Sequence, residues 1–238
     1  LPVAAPRPWR QPVAAFGLVA TALVAAGFTT YQLTSTHSAT PSKAVDLTEP
    51  AWDVARLFPA QGTWTEGEYL ALDSNHLVEF SHGCLEVLAM PTTSHQRIAA
   101  FLYRLLSAFV ATGGLGTGLF APLRVRLWPG KFREPDLVFM LKEHEARIGE
   151  QFWEGADLVL EVVSDDDRRR DVETKRFEYA RAGIPEYWIV DPQKSRISVL
   201  VLDGGSYREH GVFVPGQRAT SVLLSGFEVS VSDTMASG

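Results

Sequence analysis

Two acidic residues and a lysine break the apolar pattern of the sequence between residues 135 and 180. Asp136 follows a proline at the start of the run "DLVFML", and Glu161 lies inside the run "ADLVLEVV". Lys175 follows on a predicted helix, where it shares one face with Val172 and Tyr179. A buried carboxylate is strongly unfavourable unless a partner, a proton or a metal ion compensates it. The sequence therefore has to provide such compensation for Glu161.

Carboxylates on neighbouring strands form an oxygen-rich site that suits Mg²⁺ or Mn²⁺, which retain water and bind a substrate phosphate. A nearby lysine can stabilise charge that develops on phosphorus. Asp136, Glu161 and Lys175 in this order indicate phosphodiester chemistry. Each has a structural alternative: Asp136 as a turn residue, Glu161 in a salt bridge, and Lys175 paired with Asp171 four residues earlier.

The segments upstream predict the elements that precede this site. Thr65 and Glu68 have the spacing of a capping box, which predicts a short helix. The runs "HLVEF" and "CLEVLAM" flank Ser81-His82-Gly83 and predict a hairpin. A long amphipathic helix follows over "TTSHQRIAAFLYRLLSAFVATGG" and ends at the paired glycines.

Three short apolar runs then predict neighbouring strands of a sheet covered on both faces, namely "LFAPLRVRLW", "EPDLVFML" and "ADLVLEVV". Asp165 to Asp167 are suited to cap the next helix, which is expected to run to about Ala182 and stop at Gly183. The runs "EYWIVD", "SRISVLVL" and "FEVSV" predict further strands. This order predicts an α/β (α+β) fold in a single layer, with a central mixed sheet flanked by helices.

The same runs carry a family resemblance. The segments "REPDLVFM", "ADLVLEVVS", Lys175 and "YARAGIPEYWIVDP", in this order, resemble the Uma-type family of restriction endonucleases in the PD-(D/E)XK nuclease superfamily. The likeness covers about residues 62 to 231. It implies a restriction-endonuclease-like core and a Mg²⁺- or Mn²⁺-dependent DNA endonuclease. Asp136 and Glu161 match its metal-binding acids and Lys175 its catalytic lysine.

One position departs from the superfamily pattern. Val163 stands where the usual motif has a lysine, two residues after Glu161. The resemblance implies that Lys175, on the following helix, delivers the amine to the same place. Because the lysine is absent from its usual position, the fold does not by itself establish catalytic activity. The alternative function is a catalytically inactive nucleic-acid-binding or interaction module on a nuclease scaffold. Metal binding would distinguish the two, since an inactive scaffold has no reason to keep a magnesium site.

Further polar residues match the family pattern or lie near the motifs. Glu79 is implied as an additional metal ligand, with a cross-strand ion pair as the alternative, and His95 as a group that orients phosphate or water, with helix capping as the alternative. Basic side chains near the site could guide a DNA backbone toward it, or could belong to a solvated face. These are Arg124, Arg126, Arg133 and Arg168.

Composition restricts the partners. The chain has 238 residues, 46% of them hydrophobic, with a net charge of -6, which argues against non-specific coating of nucleic acid. Cys84 is the single cysteine, so neither an intrachain disulfide nor a cysteine-based zinc site is expected. The glycine-rich run does not lie between a strand and a helix as a phosphate loop does, and no G-x-S-x-G nucleophile motif is present in the sequence. DNA is the expected partner, with a homodimer if both strands are cut.

The N-terminal segment differs from the rest. Residues 12–33 follow Arg7 and Arg10 and carry no charge, so they are about long enough to span a bilayer. The alternatives are a membrane anchor, a signal peptide and an extension that is not part of the native protein. We expect a cytoplasmic protein in which residues 1–45 precede the nuclease domain at 46–233, with a short tail at 234–238.

Overall fold

The computed structural model describes residues 60–72, 77–164 and 168–238. Its helices are α1 (Glu66–Leu70), α2 (Thr93–Gly113), α3 (Lys175–Arg181) and α4 (Val231–Ala236), with a 3-10 helix at Lys142–Arg147 and a π-helical turn at Arg170–Thr174. The strands are β1 (Val78–Ser81), β2 (Cys84–Val87), β3 (Gly116–Phe120), β4 (Val125–Trp128), β5 (Lys131–Arg133), β6 (Leu137–Leu141), β7 (Trp153–Glu154), β8 (Leu158–Val162), β9 (Glu186–Asp191), β10 (Arg196–Asp203), β11 (Ser206–Phe213), β12 (Arg218–Thr220) and β13 (Glu228–Ser230).

The strands form two large mixed sheets and one small sheet. The order is β2-β1-β5-β4-β7 in the first sheet and β11-β10-β9-β8-β6-β3 in the second, while β12 pairs with β13. Most neighbours are antiparallel, whereas β8 and β9 run parallel, as do β4 and β7. The predicted α+β class with mixed sheets is confirmed, but the strands lie in two large sheets and not in one layer.

The six-stranded sheet is covered on both faces. Leu158, Leu160 and Val162 of β8 pack on one side with apolar residues of α2. Val159 and Val163 pack on the other side with residues of α3 and β9. All five residues of β8 are buried, including Glu161. The sequence correctly predicted β6 and β8 as neighbours in a doubly covered sheet, since an apolar run without alternation is typical of that environment.

A third apolar run was predicted to form one more strand of this sheet, and that prediction was wrong. The run "LFAPLRVRLW" divides into the end of β3, which pairs with β6, and β4, which belongs to the five-stranded sheet. Pro122 lies between them and cannot donate to a strand ladder. The chain therefore leaves one sheet at Phe120 and enters the other at Val125.

Local signals at the chain's turns and caps were correct. Thr65 and Glu68 form the reciprocal capping box of α1. The β1–β2 hairpin turns at His82 and Gly83, which both have positive φ, and its register pairs Ser81 with Cys84. Gly114 closes α2 in the left-handed conformation. Asp165 to Asp167, predicted to cap the next helix, lie outside the described residues.

Among the described residues, no helix combines the length and apolar character needed to cross a membrane. The predicted apolar segment at 12–33 lies outside those residues. Cys84 is a free thiol.

Candidate active site

The antiparallel register of β6 and β8 brings the two predicted acids together. Leu137 pairs with Leu160 at the end of the ladder, and continuing this register by one residue sets Asp136 across from Glu161. Directly opposed residues of an antiparallel pair point to the same face of the sheet. The two carboxylates therefore share one side of the sheet, on which α3 also packs.

Glu161 is buried and receives two contacts on the same oxygen. Its Oε1 lies 2.6 Å from the Tyr179 hydroxyl, which donates a hydrogen bond, and 2.9 Å from Nζ of Lys175. Burial raises the pKa of Glu161 to about 8, since Lys175 only partly offsets it and the charges of Asp136 and Asp171 add to it. Without a bound metal ion, this carboxyl can hold a proton at neutral pH.

Lys175 lies between two buried carboxylates. Its Nζ is 2.9 Å from Oε1 of Glu161 and also 2.9 Å from Oδ1 of Asp171. Burial favours the neutral amine, but Asp171 first and Glu161 second outweigh it and raise the pKa of Lys175 above its usual range. Lys175 is thus positively charged beside Glu161. It contacts Glu161, as the proposed site needs, and also Asp171, its predicted structural partner.

The backbone before Lys175 explains how its amine reaches the sheet. Arg170–Thr174 form a π-helical turn, and α3 starts at Lys175. Such wide turns occur frequently at functional sites. Asp171 lies in this turn, and its carbonyl accepts a hydrogen bond from the Tyr187 hydroxyl at 2.8 Å. The sequence suggested Asp171 only as a structural partner of Lys175, because nothing in a four-residue spacing shows that the pair is buried beside Glu161.

Asp136 is held by two donors on one oxygen. Its Oδ2 accepts a hydrogen bond of 2.7 Å from the Val162 amide and lies 3.1 Å from Nε2 of His95. Burial works against the charged imidazole, yet the hydrogen bond and charge of Asp136 raise the pKa of His95. Thr92, and not His95, provides the side-chain cap of α2. The structure therefore places His95 against Asp136, and its role in orienting phosphate or water stays a prediction.

The remaining carboxylate oxygens fit a divalent cation. Within residues 60–72, 77–164 and 168–238, no hydrogen bond reaches Oδ1 of Asp136 or Oε2 of Glu161. The same residues contain no group of three or more His, Cys, Asp or Glu side chains that could hold a metal alone. Mg²⁺ commonly binds through one or two carboxylates, with water and substrate phosphate completing its shell. Asp136 and Glu161 match that donor set.

Glu79 lies in a separate cluster of charges beside this site. It is fully buried on β1, forms ion pairs with Arg133 and Arg170, and accepts a 3.0 Å hydrogen bond from the Glu134 amide. Burial would raise the pKa of Glu79, but Arg133, Arg170 and Lys175 together hold it well below its usual range. Glu79 thus forms ion pairs, which were the predicted alternative to metal binding. Its role as a metal ligand stays a prediction.

The four arginines predicted to guide DNA all make contacts within the chain. Arg124 donates to carbonyls of residues 70 and 72 and lies over the Tyr69 ring, and Arg126 pairs with Glu154. Arg133 is buried among acids, and Arg168 pairs with Asp191. Contact of these residues with DNA stays a prediction.

Comparison with known proteins shows the family and the fold. The model of the Uma2 family, described as "Putative restriction endonuclease", matches residues 67–232. A crystal structure described as a putative nuclease belonging to DUF820, from Anabaena variabilis ATCC 29413, is similar with a TM-score of 0.62 at 18% identity, covering 73% of this chain and 98% of that chain. At this identity the likeness shows the fold. No curated protein matches the chain.

Proposed function

This chain belongs to the Uma2 family, described as "Putative restriction endonuclease", and from that membership we propose that it is a metal-dependent endonuclease that hydrolyses phosphodiester bonds in DNA. The observation that carries the proposal is the convergence of Asp136, Glu161 and Lys175 on one face of the six-stranded sheet. Two opposed carboxylates and a charged amine are suited to binding a divalent cation and stabilising the charge that develops in phosphodiester hydrolysis.

Asp136 and Glu161 would hold Mg²⁺ or Mn²⁺ through Oδ1 and Oε2, which accept no hydrogen bond from the described residues. Such an ion stabilises negative charge on a phosphoryl oxygen as a Lewis acid. His95 and the Val162 amide fix the orientation of Asp136, while the Tyr179 hydroxyl fixes that of Glu161. Donors of this kind, which orient a ligand without touching the ion, affect metal affinity or activity by about 10- to 100-fold.

Lys175 would stabilise the charge that develops on phosphorus during attack. Its amine is held in place by Asp171, so it does not depend on Glu161 alone for its position. A cation fixed in this way needs little reorganisation when charge develops in the transition state, so the free-energy cost of reorganisation is small. Asp171 therefore holds Lys175 rigidly in place, whereas an exposed lysine would have no such support.

The test is cleavage of DNA by the full-length protein. Supercoiled plasmid and single-stranded circular DNA are incubated with the protein in Mg²⁺, in Mn²⁺ and in EDTA, and the products are separated on a gel. We expect nicked or linear products with either cation and none in EDTA. Cleavage that persists in EDTA would contradict the metal dependence. Binding without cleavage under every condition would favour the inactive scaffold.

A further inference from the structure

A cleft lies beside the candidate site, between the β1–β2 hairpin, the β4–β5 turn and helix α3. Its volume is about 450 Å³, which falls within the range of roughly 300 to 1,000 Å³ for small-ligand sites. A second, more polar cleft of about 390 Å³ shares part of its lining. The side chains shared by both are Ser81, Lys131, Arg169, Thr174 and Glu178.

The first cleft offers aromatic surface and donors that the fold does not use. Phe177 lines it and is 68% exposed, which is unusual for so large an apolar side chain. Trp128 forms another part of the lining, and among the described residues its buried indole N–H has no hydrogen-bond partner. The rings of Phe177 and Trp128 give the cleft aromatic surface that a planar ligand group can contact.

Arg181 adds a cation to the same wall. Its guanidinium lies 4.4 Å from the centre of the Trp128 ring, and among the described residues no carboxylate pairs with it. Among the described residues, Arg169 at the rim pairs with Glu173 alone, and both side chains are largely exposed. Exposed pairs of this kind contribute little, so an incoming phosphate can replace Glu173 at small cost. The cleft therefore combines stacking surface with positive charge available to an anion.

The position of the cleft connects it to the candidate site. Lys175 and Tyr179 on α3 face Glu161, whereas Phe177 and Arg181 on the same helix line the cleft. The two faces of one short helix thus border both regions. A DNA strand that contacted both Lys175 and the cleft would pass around this short helix, because Lys175 is buried against the sheet and Phe177 is exposed.

We propose that this cleft binds an unpaired nucleotide of the DNA substrate, with the base stacked on Phe177 and a backbone phosphate near Arg181 and Arg169. This inference rests on the proposed function and specifies its substrate class as single-stranded DNA or DNA with an unpaired segment. Bases inside a duplex are already stacked on each other and cannot offer their faces to a side chain. Unstacked bases stack readily on aromatic residues, and this contact tolerates any sequence.

The experiment measures binding apart from cleavage. A fluorescein-labelled 12-nucleotide single strand and a blunt-ended duplex of two complementary strands are titrated with full-length protein in EDTA, and fluorescence anisotropy is recorded. Phe177→Ala should weaken binding of the single strand by about 5- to 100-fold, the usual effect of removing one stacking side chain. Its binding to the duplex should change by less than about twofold.

Phe120→Ala is the matched control, because Phe120 is also exposed, at 53%, but lies on β3 and does not line the cleft. It should bind the single strand as the wild type does. Arg181→Gln should weaken single-strand binding and reduce its dependence on salt, since one phosphate contact is lost. Circular dichroism confirms that each variant folds, which both exposed positions should permit.

The outcomes separate this inference from the proposed function. Wild-type affinity of Phe177→Ala for the single strand, or an equal loss in Phe120→Ala, would overturn the inference even if the wild type cuts DNA. Selective loss in Phe177→Ala would support the cleft even if no cleavage is ever seen. A wild-type protein that binds only the duplex would also overturn it.

Discussion

At the scale of single residues, the structure explains how an apolar strand tolerates a carboxylate. Glu161 is compensated by a lysine and a tyrosine hydroxyl, and its raised pKa allows a proton to contribute when no cation is bound. The sequence indicated that such compensation must exist and placed Lys175 in the same site, with Asp171 as its structural partner. It did not indicate that Lys175 and Tyr179 both contact Glu161, because these contacts depend on the π-helical turn and the burial of α3.

Lys175→Ala should lower turnover by about 100-fold, the usual scale for one electrostatic donor. It should also cost about 3 to 5 kcal/mol of unfolding free energy, because Glu161 and Asp171 would be left buried without their cation. Urea denaturation measures the second effect, and turnover is calculated per folded molecule. Normal turnover with reduced stability would assign Lys175 a structural role only.

Asp171→Asn tests whether the support of Lys175 matters for cleavage. The amide keeps the shape of the side chain but removes the charge that holds the amine, so turnover should fall by about 10-fold or more. Glu209→Gln is the control, since Glu209 is exposed on β11 and lines neither cleft. Equal rates of plasmid cleavage for the two variants would show that Asp171 does not contribute.

At the scale of helices and strands, local chemistry was easier to predict than pairing. The hairpin, α1 and α2 followed from turn residues, capping residues and helical periodicity, all of which operate over a few positions. The assignment of β3 and β4 to different sheets depends on contacts far apart in the chain. The register that opposes Asp136 to Glu161 is equally non-local, so a sequence pattern could bring the two residues to neighbouring strands but not face to face.

Glu186 shows how one strand anchors a distant loop. It is buried on β9 and accepts hydrogen bonds from the Trp188 indole, the Ser221 hydroxyl and the amides of Val222 and Leu223, at 2.6 to 2.8 Å. Glu186→Ala leaves these donors without their acceptor and should destabilise the fold by about 3 kcal/mol or more.

Chemical denaturation of Glu186→Ala checks this value against Glu209→Ala, whose side chain is exposed on β11. The Glu209 variant should lie within about 0.5 kcal/mol of the wild type. A similar small change in Glu186→Ala would show that the loop at residues 221–224 does not depend on this carboxylate.

At the scale of the whole molecule, the family model covers residues 67–232 and leaves the N-terminal segment outside. The order of the motifs along the chain identified the family and the fold class, because that order extends over the whole domain even though each motif is short. The boundaries at residues 45 and 233 stay predictions. The expected cytoplasmic location and homodimer also stay predictions.

Deletion of residues 1–45 should leave the unfolding free energy within about 1 kcal/mol of the full-length value, because terminal segments outside a domain contribute few core contacts. Thermal and urea denaturation of both forms measure the difference. A truncated chain that fails to fold would show that the segment is part of the domain.

The central claim is that Asp136 and Glu161 act together in metal-dependent cleavage of DNA. The most direct test compares plasmid cleavage in Mg²⁺ by the wild type, Asp136→Asn, Glu161→Gln and the exposed control Glu209→Gln. Both site variants nearly keep the shape of the side chain, so folding should persist, while the rate should fall by about 100-fold or more through lost metal binding. The control should cut at the wild-type rate. Wild-type cleavage by Asp136→Asn and Glu161→Gln would contradict the account.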